Sequence, residues 1–323
     1  MMIEMKERMT CLNSILADRE APFTLEYCQR WKNNCMLEAY QLVNPKKNCS
    51  PTIFYGAWYE DDDESVADFL MKLFEENSVS LDVSPYVSPE FILDNILPRM
   101  VYKDNLPEIQ KQNLAYTEYL DLIVLFYLPV EIDALKQNKD SNGQFSIQVS
   151  QSVLEKAGVS LSEAYEHAVE NVKKKTEIIP MWKMLEETGY PIDLRELNIQ
   201  LLVVTIDSMH YGAGTLVNSE VLREVSEKIG GDYVVLPSSI HEWIAHPYHE
   251  DELVLCQDLV QVKMRNFSHF NLPEAQPQCS FFHTLVRIRL ATYSCNGYEF
   301  VSYCRKLPDI QKSTGMLAYN HGF

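Results

Sequence analysis

Two apolar, β-branched phrases constrain the fold of this chain more than any other feature. They are Tyr119-Leu-Asp-Leu-Ile-Val-Leu-Phe-Tyr-Leu128 and Gly231-Asp-Tyr-Val-Val-Leu-Pro-Ser-Ser-Ile-His-Glu242. The first has the near-continuous hydrophobicity of a central strand covered on both faces. The second reads as a strand over 232–236. It runs into Ser238-Ser239, a pair suited to capping a last turn of helix that holds His241 and Glu242.

The remaining elements follow from periodicity and punctuation. Residues 1–17 suggest a short amphipathic helix. Cys35–Val43 and Pro51–Tyr55 suggest a hairpin around Asn44-Pro-Lys-Lys-Asn48. Asp61-Asp-Asp-Glu64 precedes Val66, Phe69, Leu70, Leu73 and Phe74, whose spacing of three and four predicts a helix over 63–76. Acids at its start complement the helix dipole, so the acidic run needs no metal to explain it. Ser88-Pro89-Glu90 opens a short helix that Pro98 is expected to end. Strands are expected at 145–149 and 201–206. Helices are expected across 150–175, interrupted at Gly158 and recapped at Ser160, and across 216–229, closed by Gly230-Gly231. The expected fold class is α+β: a mixed β-sheet with helices packed on it, built from strand-helix-strand units.

Charge narrows the partners. The net charge is −18. Residues 246–323 carry equal numbers of acids and bases, so the whole excess lies in 1–245. Such a surface disfavours duplex nucleic acid and anionic membranes, which need clustered Lys and Arg. No apolar run approaches the ~18 residues that span a bilayer. The eight cysteines include no Cys-x-x-Cys pair, and the start Met1-Met-Ile-Glu-Met-Lys-Glu-Arg is not a secretory signal. Reduced thiols in a cytoplasmic protein are expected. The organisation expected is an N-terminal α/β region over 1–115, a central strand-helix-strand region over 116–246 and a tail or small addition over 247–323.

Five stretches carry a resemblance. They are Trp31-Lys-Asn-Asn34, Ser50-Pro-Thr-Ile-Phe-Tyr55, Glu118–Leu128, Val153-Leu-Glu-Lys-Ala-Gly-Val159 with the helix that ends near Asn171, and Asp232–Glu242. Over about residues 25–245 the chain resembles an uncharacterised bacterial, Firmicutes-type family built on a domain of unknown function. The resemblance implies an intracellular α+β protein and brings no assigned catalytic residue. The family pattern ends soon after Ser-Ser-Ile-His-Glu. Residues 263–323, with Cys279, Cys295, Cys304 and the basic alternating stretch Arg287-Ile-Arg-Leu290, depart from it as an added small domain or a divergent end.

Candidate chemistry is sparse. His241-Glu-Trp-Ile-Ala-His246 resembles His-Glu-x-x-His, but its histidines are i and i+5. On a helix that turns the second about 140° from the first. His246 and His249 share a loop without the rest of a ligand shell, so His241, His246 and His249 are weak metal candidates and none is assigned. Tyr211-Gly-Ala-Gly214 lacks the Gly-Lys-Ser/Thr of a phosphate loop and reads as a turn. Ser238-Ser239 lacks the glycines of a nucleophile elbow. No cofactor is expected. The function expected is non-catalytic protein binding or an accessory role, with another protein as partner. One alternative is a hydrolase that uses His241 and Glu242 with Asp207, His210 or Ser239. The other is an acidic nucleic-acid mimic that binds a basic protein.

Overall fold

A computed structural model describes residues 2–32, 35–54, 61–78, 80–120, 122–131, 144–187, 200–252, 286–290 and 302–306. The fold is α+β. The expected single mixed sheet divides instead into three antiparallel sheets. The first carries β1 (Thr24–Lys32), β2 (Cys35–Val43) and β3 (Thr52–Phe54) in that order. The sequence reading caught the β2–β3 pairing and missed β1, which pairs with β2 along its whole length from Thr24↔Val43 to Lys32↔Cys35. Helices α1 (Met2–Asp18) and α2 (Asp63–Asn77) close this sheet with Met5, Leu12, Leu16, Leu42, Leu70 and Phe74. Arg8 donates to Asp63 at 2.8 Å and Arg19 to Asp68 at 2.7 Å, tying α1 to the first turns of α2. Asp62 caps α2 by accepting from the Ser65 N–H, and that bond lowers the Asp62 pKa. Phe69, assigned to the buried stripe by spacing, is exposed.

The second sheet holds β4 (Leu97–Tyr102), β5 (Tyr116–Tyr119), β6 (Leu122–Glu131) and β7 (Gln144–Gln148). Here the first signature phrase is not one strand. It is a tight hairpin whose chain reverses between Tyr119 and Leu122, where Leu120 takes φ 58°. Primed hairpin turns require such a left-handed residue, and Leu supplies no sequence signal for it. The two-sided burial of β6 does hold. Leu122, Val124, Phe126 and Leu128 enter the main core, while Ile123 and Leu125 enter a smaller one with Val101, Ile109 and Leu114. Pro98 does not end a helix. Helix α3 (Pro89–Asn95) closes at Ile96, and Pro98 lies inside β4, which is followed by helix α4 (Leu106–Lys111).

The third sheet runs β13-β12-β10-β11-β9-β8, with β8 (Thr176–Pro180), β9 (Leu202–Ile206), β10 (Tyr233–Ser239), β11 (Glu242–Pro247), β12 (Val286–Leu290) and β13 (Ser302–Lys306). Strands β9 and β10 are both antiparallel to β11, which lies between them. They are therefore parallel to each other and joined through helix α8 (Ser219–Ile229), a split strand-helix-strand unit. The main core packs helices α5 (Gln151–Ala157), α6 (Leu161–Lys175) and α8 against the second and third sheets together, while helix α7 (Met181–Glu187) follows β8. Both expected caps on α5 and α6 are present, Ser150 on Val153 and a reciprocal Ser160–Glu163 box. The basic stretch of the tail, Arg287–Leu290, lies in β12, which extends the sheet beside β10. No helix among the described residues is long and apolar enough to cross a membrane.

Candidate functional site

The second signature phrase folds differently from its reading, and the difference creates the site. Ser238 and Ser239 do not cap a helix. They finish β10, a tight turn follows at Ile240-His241, and Glu242 begins β11. The β-branched and aromatic residues on either side, Val234, Val235, Trp243 and Ile244, give both arms strand character. A register shift between Pro237 and Ser239 accommodates the turn. The Ser239 hydroxyl donates to Glu242 Oε2 at 2.7 Å and accepts from the His241 N–H at 3.0 Å, while Ser238 donates to Glu242 Oε1 at 2.5 Å. Both hydroxyls thus secure the carboxylate at the hairpin end.

Beside this turn the chain leaves β9 in strained steps. Met209 and Tyr211 take φ 55° and 60°, left-handed values that cost non-glycine residues about 1–3 kcal/mol and survive where packing over-determines them. The packing is dense. The Tyr211 N–H donates to His241 Nδ1 at 3.2 Å, and Thr205 Oγ1 donates to the His241 carbonyl at 2.8 Å. A Cβ at Gly212 would lie 2.5 Å from that same carbonyl oxygen. The glycines of Tyr211-Gly-Ala-Gly214 therefore serve close approach: a Cβ at Gly214 would sit 2.2 Å from the Pro98 carbonyl oxygen of β4. Residues 212–217 form a buried 3-10 turn leading to the Asn218 cap of α8.

The result is a cluster of rings over a buried arginine. His210 lies 4.1 Å from the Tyr211 ring and 4.8 Å from His241, centroid to centroid. Tyr211 stacks on His241 at 5.6 Å and meets the edge of Tyr127 at 4.9 Å. The Arg99 guanidinium carbon stands 4.6 Å from the Tyr211 ring centre, a cation–π contact from within β4. The Tyr127 hydroxyl donates to the His210 carbonyl at 3.3 Å. Burial, then the neighbouring His241 and Arg99, push the His210 pKa down to about 4, so its imidazole is neutral at pH 7. Burial above all raises the Tyr127 phenol, keeping it protonated. Because His241 Nδ1 accepts a backbone N–H, its ring proton resides on Nε2. His241 is thereby a donor at Nε2, not a base there.

The structure thus brings the His241 and His210 rings together, while the side chains of the other named candidates are engaged with different partners. Asp207 is exposed and pairs with Lys175 at 3.4 Å. Ser239 and Glu242 bond to each other. His246 lies near the far end of β11. Five residues of strand at about 3.4 Å each put it roughly 17 Å from His241, too far to share an ion. His246 and His249 are neighbours, with ring centres 6.3 Å apart. The sequence reading missed Arg99 and Tyr127 as partners of this cluster. The available signal was a lone cation in the apolar run Ile96-Leu-Pro-Arg-Met-Val101.

The split strand-helix-strand unit and the ring cluster define an α+β domain with a histidine-aromatic centre at the carboxyl ends of β9 and β10. The chain belongs to the family of unknown function DUF5688, which matches residues 6–262. No curated protein and no solved structure shows significant similarity to it.

Proposed function

We propose that this protein is a non-catalytic binding or accessory factor of the bacterial cytoplasm, and that the loop from Asp207 to Tyr211 is its contact surface for another protein. The observation that carries the reading is the fixed hydrogen-bond order at the site. Ser239 gives its proton to Glu242, and His241 accepts from a backbone N–H through Nδ1. A serine hydrolase needs the opposite arrangement, with an imidazole nitrogen accepting from the nucleophile. What the strained loop presents instead is Met209, exposed beside the ring cluster. An adaptable apolar side chain held on a rigid, packed base suits protein recognition. The described thiols Cys11, Cys28 and Cys49 are free, in keeping with a reducing compartment.

The test places a photo-crosslinking residue at Met209 and, separately, at the exposed Leu161 of α6. The expected result is a discrete heteromeric adduct from position 209 alone, lost when an unlabelled competitor of the wild-type chain is added and retained with M209D competitor. Turnover of ester, amide or phosphoester substrates by the wild type, abolished in H210Q, would overturn the reading in favour of the hydrolase.

A further inference from the structure

At the opposite end of β11, the chain builds a second cluster that the ring site does not use. Tyr248 donates its N–H to the Asp232 carbonyl at 2.9 Å, continuing the β10–β11 pairing past Pro247. A 3-10 turn over Glu250–Glu252 then folds back, closed by the Glu252 N–H to the His249 carbonyl at 3.2 Å. That turn brings Glu252 Oε2 to 3.6 Å from His246 Nε2. The two side chains line a cleft of about 600 Å³ with Gln200, Asp232 and His249. A Cβ on Gly231, also in its wall, would meet nothing within 4 Å, so the cleft is open on that side.

The hydrogen bonding leaves a charge imbalance there. His246 Nδ1 lies 2.6 Å from the Pro247 carbonyl oxygen, which can only accept, so Nδ1 carries the proton. With its single proton there, Nε2 points a lone pair toward Glu252 Oε2, an oxygen that is buried and has no hydrogen-bond partner. Two lone pairs facing across 3.6 Å repel unless something positive lies between them. The backbone carbonyl that fixes Nδ1–H is also the partner a metal-bound histidine characteristically has on its second nitrogen. Two ligands, each about 2.1 Å from a tetrahedral zinc, stand about 3.4 Å apart. The observed gap is close to that bite.

We propose that His246 Nε2 and Glu252 Oε2 hold a divalent cation of the zinc type, with His249 as a third ligand and water completing the shell. Among the described residues no three His, Cys, Asp or Glu side chains already converge on one point. His249 is exposed and free to swing its ring toward the ion. Nitrogen and carboxylate donors together select zinc-like ions over magnesium or calcium, which prefer oxygen alone. The nearby acid Asp232 adds favourable potential without a direct bond. The ion would pin the 3-10 turn over Glu250–Glu252 to the end of the sheet.

The experiment uses the full chain, stripped with chelator under reducing conditions and titrated with zinc in competition with a chromogenic indicator. Wild type, H246Q, E252Q and H249A are compared, and the folded state of each is checked by circular dichroism. The expected result is one competed site per chain, weakened at least 10-fold in H246Q and in E252Q and less in H249A. Zinc binding unchanged in E252Q would overturn the proposal, because ions held by cysteines elsewhere do not depend on that carboxylate. Absence of binding by the wild type would overturn it too, leaving a proton as the charge between the two groups.

Discussion

Replacing Gly214 with Ala tests whether the glycines after Tyr211 exist for packing. The added methyl would lie 2.2 Å from the Pro98 carbonyl oxygen, 2.9 Å from its carbon and 3.0 Å from the proline ring. Ordinary contact begins near 3.4 Å, so β4 and the 3-10 turn must part by about 1 Å. Two of those three atoms are backbone within a paired strand, and Arg99 follows Pro98 directly, so the strand cannot relieve the clash by a rotamer change. Overpacking of this kind costs typically about 1–3 kcal/mol, and the rigid neighbour favours the upper half of that range. For a chain of this size 1 kcal/mol moves the melting temperature by about 2–4 °C, giving an expected drop of roughly 4–12 °C. Gly231→Ala is the matched control, since its Cβ meets nothing and its backbone is not left-handed. The control is expected to stay within about 0.5 kcal/mol of wild type or to gain slightly from a stiffer unfolded chain. Urea unfolding of the three proteins, followed by tryptophan fluorescence, reads the difference, with the buried Trp243 as a reporter close to the site. Equal midpoints for G214A and G231A would refute the packing argument.

Two further outcomes follow from the main core. The folded His210 pKa, about 4, lies below its unfolded value of about 6.5. The unfolded chain therefore binds the extra proton first, and the His210 contribution is fully present above pH 6.5 and is lost as pH falls toward 4. Melting curves across that window should show H210N less sensitive to acid than wild type, and parallel pH profiles would contradict the assignment. Asn171 in α6 donates through Nδ2 to the Leu93 and Ile96 carbonyls at 2.8 and 3.2 Å, anchoring the end of α3. Asn171→Leu strips both carbonyls of that donor and should cost about 2–3 kcal/mol by denaturant titration; a loss under 0.5 kcal/mol would mean the carbonyls find other donors.

Helices were legible because their signals are local. Asp62, Ser88, Ser150, Ser160 and Asn218 each cap the helix that follows, as the sequence indicates or nearly so. Gly158 and Gly230 take the left-handed conformations that end α5 and α8. Hairpins were less legible where the turn carried no turn residue. Leu120 and His241 occupy reversals that glycine or asparagine would have announced, so two hairpins were read as one long strand and as a strand followed by a helix. Strands β1, β4, β8 and β11 were missed for a related reason. β4 and β8 are fixed by partners well separated in sequence, as Arg99 opposite Leu125 and Thr176 opposite Ile206 illustrate, while β1 and β11 are fixed by their hairpin partners β2 and β10.

The ring cluster lies at the limit of such reading. His210, Tyr211 and His241 each had a local role in the sequence, yet nothing local says that β11 inserts between β9 and β10. That insertion sets the β10–β11 turn beside the end of β9, where Thr205 binds the His241 carbonyl and Tyr211 binds its ring. Had β9 and β10 been adjacent, as a simple strand-helix-strand unit predicts, the Ile240-His241 turn would project past the sheet without these partners. The hydrogen bond that fixes the His241 proton on Nε2 is thus a consequence of strand order.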